Sequence, residues 1–171
     1  EAVEDGEDAR HRIEHAEILT DDLVERLADA DVVVSMQPNF LKWAREDGLY
    51  QSRLGERRTR ESNRFRELLD AGARLAFGSD CMPLGPLFGV QQAVTAPAES
   101  QRLTVTEALR AYTSGAAAAG FDEERLGTIE AGTRGDFVVL EDSPWAVDPD
   151  HIADIDVSAT IVDGEVAYQG T

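Results

Sequence analysis

A chain of 171 residues is long enough for one domain with a real core, and its 42% apolar content is that of a globular protein rather than a disordered one. Thirty-four acidic residues against 16 basic ones leave a formal net charge of -18, which argues against nucleic acid and against anionic membrane surfaces as partners. No apolar stretch approaches the ~20 residues needed to cross a bilayer.

In chain order, the first candidate strand is Arg10-His11-Arg12-Ile13-Glu14-His15, which ends on a histidine. Thr20-Asp21-Asp22 caps a helix whose Leu23, Val24, Leu27 and Ala30 fall on one face. Asp31 turns into Val32-Val33-Val34-Ser35-Met36, a β-branched run typical of a strand covered on both faces. Residues 37–60 show no sustained strand period and read as a long polar loop holding Trp43, Tyr50 and an arginine cluster. A helix over 62–71 stops at Gly72, the run 74–78 is the next strand, and a Pro/Gly-rich loop covers 81–89. Thr104-Val105-Thr106-Glu107 opens an Ala-rich helix to about Ala119. Strands alternating with helices in this way predict a parallel sheet with crossover helices.

The texture changes after Gly127. Residues 132–136 turn into Phe137-Val138-Val139-Leu140, and Pro144 and Pro149 punctuate a loop. Residues 159–162 and 165–168 flank Asp163-Gly164 as a hairpin. The expected organisation is therefore an α/β unit over 1–126 and part of a small β domain over 127–171.

Parallel sheets place their chemistry at the C-terminal ends of their strands. His15 and Asp80, which closes Leu75-Ala76-Phe77-Gly78-Ser79-Asp80, occupy such positions. An imidazole and a carboxylate at neighbouring strand ends suggest half of a metal-hydrolase site. The plainer alternatives are a histidine with a satisfied hydrogen bond and a turn aspartate. His11 and His15 would lie ~13 Å apart on a strand, too far for one ion. Gln37, ending the middle strand before Pro38, could hydrogen-bond a substrate or simply end the strand. Trp43 and Tyr50 could line a pocket or pack on each other; Arg53, Arg57, Arg58 and Arg60 could hold a carboxylate or offset nearby acids. Cys81, the single cysteine, excludes an internal disulfide and has no suitably spaced histidine motif to make it a nucleophile. Phosphate-cradling glycine loops, CxxC pairs and GxSxG elbows do not occur, which disfavours a doubly wound nucleotide binder.

The acids are dispersed and Lys42 is the only lysine, a pattern that resembles proteins of extreme halophiles. With no signal-peptide pattern at its start and one cysteine, the chain is expected in a reducing cytoplasm.

Six motifs in register resemble the amidohydrolases: residues 11–17, Ser35-Met36-Gln37-Pro38, Phe77-Gly78-Ser79-Asp80, residues 107–113, residues 127–140 and residues 160–166. The closest branch is the group of metal-dependent hydrolases, some labelled exoenzyme regulatory proteins, within the amidohydrolase 3 family. The resemblance implies the C-terminal part of a (β/α)8 TIM-like metal-hydrolase barrel, followed by part of a small β-sandwich. It implies that His15 is the sixth-strand metal ligand and that Asp80, from the eighth strand, contacts both metal and hydrolytic water. A divalent metal, with zinc favoured, and a small-molecule amide substrate follow. The family's first-strand His-x-His pair, fourth-strand bridging residue and fifth-strand histidine do not occur here; His151 falls in the β region. Where many relatives carry a histidine after the Gln-Pro pair, this chain has Asn39 and Phe40. Three barrel strands cannot close a barrel, so the chain is expected to be an incomplete C-terminal piece, inactive alone, held by oligomer contacts or by its missing N-terminal part. The competing expectation is a non-catalytic regulatory or binding protein on the same scaffold.

Overall fold

The computed structural model describes residues 10–80 and 84–170, and among these the strands form two three-stranded sheets. The first is parallel: β1 (Arg12–Glu14), β2 (Val33–Met36) and β3 (Arg74–Phe77) lie in the order β1-β2-β3. Glu14 stands opposite Ser35, and Met36 opposite Phe77. The middle strand is the buried one, with Val33, Val34 and Met36 all out of solvent, as its β-branched run predicts. At the edge, β1 leaves Ile13 39% exposed while Arg12 and Glu14 pair with each other in water.

Helix α1 (Asp21–Asp29) crosses from β1 to β2, and α2 (Leu49–Arg60) with α3 (Phe65–Asp70) cross from β2 to β3. Beyond β3 come α4 (Pro86–Val94), α5 (Val105–Arg110), a π-helical turn (Ala111–Gly115) and α6 (Ala116–Ala119). The core between sheet and helices gathers Met36, Phe65, Leu68, Phe77 and Val90. Thr104 starts α5 with the expected capping box: its hydroxyl accepts from Glu107 N, and the Glu107 carboxylate accepts from Thr104 N at 2.7 Å.

Three sequence expectations need correction. Residues 37–60 are not a loop but a 3-10 helix (Pro38–Trp43) followed by α2. Pro38 pre-sets the first helical φ, whereas the period of α2 is hidden because Gly55 breaks it at φ 76 and only Tyr50 and Thr59 are buried. The helix expected over 62–71 begins only at Phe65, since Ser62 bridges Ile18 and Asn63 turns left-handed at φ 53. The loop expected over 81–89 gives way to α4 at Pro86; Cys81 lies outside the described residues. The helix expected from Thr104 to about Ala119 is found at that length and stops at Gly120, with its middle turn widened to π over Ala111–Gly115.

The second sheet is antiparallel, β4 (Phe137–Leu140), β5 (Val157–Val162) and β6 (Glu165–Gln169) in that order. Asp163 and Gly164, both at positive φ, make the expected two-residue turn. A 3-10 turn (Pro149–Asp154) docks this region on α4: Ile152 is fully buried, and Ala153 N donates to Gln91 Oε1 at 2.8 Å. Among the described residues, no helix is long and apolar enough to cross a membrane.

Candidate functional site

Because β1, β2 and β3 run parallel, their C-terminal ends share one edge, and the chain sets His15, Gln37 and Asp80 along it. His15 follows β1 directly and its N–H donates to Ser35 O at 2.8 Å, extending the pairing by one step. It then turns left-handed at φ 68, as does Ala16 at φ 44, and Asp80 leaves β3 at φ 51. Non-glycine residues in that region cost on the order of 1 kcal/mol or more and cluster at functional turns. With neighbouring strands about 4.8 Å apart, the ends of β1 and β3 lie roughly 10 Å from each other across Gln37. The side chains of His15 and Asp80 are exposed there, whereas Gln37 is only 6% exposed.

Gln37 is turned toward the histidine: its Oε1 lies 2.7 Å from His15 Nδ1. Phe40, from the 3-10 helix that Gln37 precedes, stacks on the imidazole with centroids 6.0 Å apart and planes 16° from parallel. The aromatic row continues through Trp43 (5.0 Å from Phe40) to Tyr50 (6.3 Å from Trp43), so these rings pack on one another. Tyr50 donates its hydroxyl to Glu17, and burial together with that carboxylate pushes its pKa well up. Asn63 N donates to Glu17 O at 2.8 Å. The excursion over 37–60 is thereby fastened to the loop that follows His15.

A second buried polar group holds the other end of the edge. Asn39, fully buried, accepts from Tyr112 Oη at 2.7 Å and donates Nδ2 to Gly85 O at 3.2 Å. Gly85 N donates to Ser79 Oγ at 3.3 Å. These bonds tie the segment leaving β3, which carries Asp80, to the 3-10 helix and the π turn. Burial raises the Tyr112 pKa, opposed by a hydrogen bond with Ser79. The sequence marks Asn39 only by its place after the Gln-Pro pair and Tyr112 only as part of a motif; nothing in it pairs them, since they are 73 residues apart and only the packed helices bring them together.

The remaining candidates lie elsewhere. His11 sits at the opposite end of β1, where its carbonyl accepts from Val33 N. His151 pairs with Asp154 at 2.9 Å beside the second sheet, which raises its pKa. In the arginine cluster Arg57 meets Glu61 at 3.5 Å and Arg60 meets Glu56 at 3.0 Å, so these side chains offset nearby acids. Among the described residues, no three His, Cys, Asp or Glu side chains gather into a group able to hold a metal by themselves.

Residues 2–168 match the model of the amidohydrolase family. The chain belongs to that family. YtcJ of Bacillus subtilis is 32% identical over 173 residues, an alignment spanning 94% of this chain and 32% of YtcJ. The N-substituted formamide deformylase of Arthrobacter pascens is 30% identical over 170 residues, spanning 94% of this chain and 31% of the deformylase. Among solved structures, an uncharacterised metal-dependent hydrolase from Pyrococcus horikoshii superposes with a TM-score of 0.72 at 30% identity, over 83% of this chain and 31% of that one. This amidohydrolase chain thus spans about a third of the length of the relatives it matches.

The donor chemistry at the edge fits a divalent metal as part of a ligand set. An imidazole whose Nδ1 is engaged by a carbonyl oxygen presents Nε2 as the ligating atom. Among the described residues no hydrogen bond engages His15 Nε2. Asp80 adds a carboxylate from the same edge.

Proposed function

We propose that the protein containing this chain is a metal-dependent hydrolase cleaving the C–N bond of a small amide-type molecule. The observation that carries the reading is the shared edge where His15, held through Nδ1, and Asp80 leave parallel strands, in a chain of amidohydrolase sequence. The deformylase relative, named for an N-substituted formamide, supports C–N chemistry. In this reading His15, through Nε2, and Asp80 hold a divalent metal, with zinc favoured by the mixed imidazole and carboxylate donors. A metal held there would supply Lewis acidity, acidifying a water toward neutrality and polarising the scissile carbonyl. Asp80 takes the proton of the attacking water and delivers it to the leaving nitrogen, so the bond breaks to a carboxylic acid and an amine. The remaining ligands come from outside this chain, and so does the strand that covers the open edge of β1. The three parallel strands then complete a (β/α)8 barrel, and the second sheet becomes part of a β-sandwich. The chain alone is accordingly inactive.

The test is elemental analysis of the full-length protein with and without His15→Ala, together with turnover of Asp80→Asn. Near-stoichiometric divalent metal, lost in His15→Ala, and a drop in kcat of about 100-fold or more in Asp80→Asn are expected. Normal turnover in Asp80→Asn would remove the assigned proton carrier. A folded, full-length protein without metal would favour the regulatory or binding role.

A further inference from the structure

The proposed function assigns His15 but leaves unexplained why a buried glutamine lies against it. We propose that the turn 37–40 is an imidazole clamp in which Gln37 is the positioning residue, fixing His15 in the Nδ1–H tautomer with Nε2 turned out. The inference deepens the proposed function and rests on it for the metal, but the tautomer itself does not depend on one.

Three observations converge. Gln37 Oε1, an acceptor only, lies 2.7 Å from Nδ1, and such a contact is a hydrogen bond when Nδ1 carries the proton. The glutamine is 94% buried while the histidine is exposed, so the partner held by packing sets the position of the one that packing leaves free to turn. The same turn closes on itself, since Phe40 N donates to Gln37 O at 3.0 Å, and it delivers the Phe40 ring onto the imidazole face. One short segment thereby restrains both the rotation of the ring about its bond and the choice of protonated nitrogen. A neutral histidine in water does not need either restraint. A histidine that must present one unprotonated nitrogen at a set angle does, and ligating histidines ordinarily donate their other N–H to such a partner. Sequence position alone leaves Gln37 either a substrate contact or a plain strand-ending residue; the geometry sets its carbonyl oxygen against His15.

The experiment is nitrogen-15 histidine spectroscopy of the metal-free full-length protein at a pH where His15 is neutral, the resonance being identified by its loss in His15→Gln. Wild type is expected to show a protonated Nδ1 and an unprotonated Nε2. Gln37→Met, similar in length but without the acceptor, should lose that preference and revert toward the Nε2–H form. Gln37→Glu, which keeps an acceptor oxygen, should retain it. In parallel, the Kd for zinc should rise about 10- to 100-fold in Gln37→Met and recover in Gln37→Glu. An Nε2–H signature in wild type, or an unchanged tautomer in a folded Gln37→Met protein, overturns the clamp. If the tautomer responds as stated but His15→Ala retains all its metal, the clamp stands and the ligand assignment of the proposed function fails. Should Gln37→Met not fold, the wild-type tautomer and the Gln37→Glu spectrum still decide.

Discussion

Glu107 shows how a single carboxylate can serve two structures at once. Its oxygens take both terminal nitrogens of the Arg66 guanidinium, and one of them also accepts from Thr104 N at the start of α5. The Arg66 pair, with Thr104 adding to it, holds the Glu107 pKa down to about 2 from 4.5. A carboxylate whose folded pKa is depressed stabilises the fold fully above its unfolded pKa. The contribution is then lost as pH falls from about 4.5 through about 2. At neutral pH the difference is on the order of 3 kcal/mol for a pair with only about a quarter of each side chain exposed. Glu107→Gln retains a capping-box side chain and removes the charge, so it should cost about 1–3 kcal/mol at pH 7. Urea midpoints of the two proteins should converge between pH 4.5 and pH 2; a gap that stays constant with pH would mean the charge is not its source.

At the scale of elements, the site edge depends on how closely α4, the π turn and β3 approach one another, and two glycines permit that approach. A Cβ at Gly115 would lie 2.2 Å from Leu75 O, a backbone atom of β3 that cannot turn aside. A Cβ at Gly89 would lie 1.7 Å from Tyr112 Oη and 2.4 Å from Asn39 Oδ1, the far ends of side chains. Alanine gains about 1 kcal/mol of helix propensity at either position. Gly115→Ala should still lose about 2 kcal/mol or more, because helix and strand must separate. Gly89→Ala should lose less in thermal unfolding yet sever the Tyr112–Asn39 bond. Equal losses would show that the side chains are as unyielding as the strand.

These contacts also mark how far the sequence was legible. The three parallel strands and the hairpin were readable from short bounded runs, most plainly the buried β-branched run of β2 and the Asp-Gly turn. Helix α4 was readable in principle, with Pro86 at its first position, but glycines on both sides of that proline resemble loop punctuation. Helix α2 carries too few buried residues to show a period. The positions of His15, Gln37 and Asp80 at strand ends could be read from run lengths. The bond between Gln37 and His15 could not, since it depends on the register that sets Glu14 against Ser35. Likewise, nothing local in Asn39 announces a tyrosine 73 residues away.

For the whole molecule, the dominant long-range force is repulsion. The 16 basic residues face 34 acidic ones, and many arginines are engaged in local pairs such as Arg66–Glu107, Arg74–Asp31 and Arg64–Asp21. Salt acts on both populations: it weakens the pairs, which stabilise, and screens the surplus acids, which destabilise the compact state. Exposed pairs are worth about 0–1 kcal/mol each and interact over a few ångströms, where screening is least effective. The surplus acids act over longer distances, and the Debye length falls from about 10 Å at 0.1 M to about 3 Å at 1 M salt. Repulsion should therefore lose more than attraction, and Tm should rise between 0.1 and 1 M NaCl. Most of the rise should come in the first few tenths molar, because screening saturates. A steady climb into multimolar salt would instead point to ion exclusion from the surface. A falling Tm would mean that the arginine pairs, despite their number, outweigh the repulsion of the surplus acids.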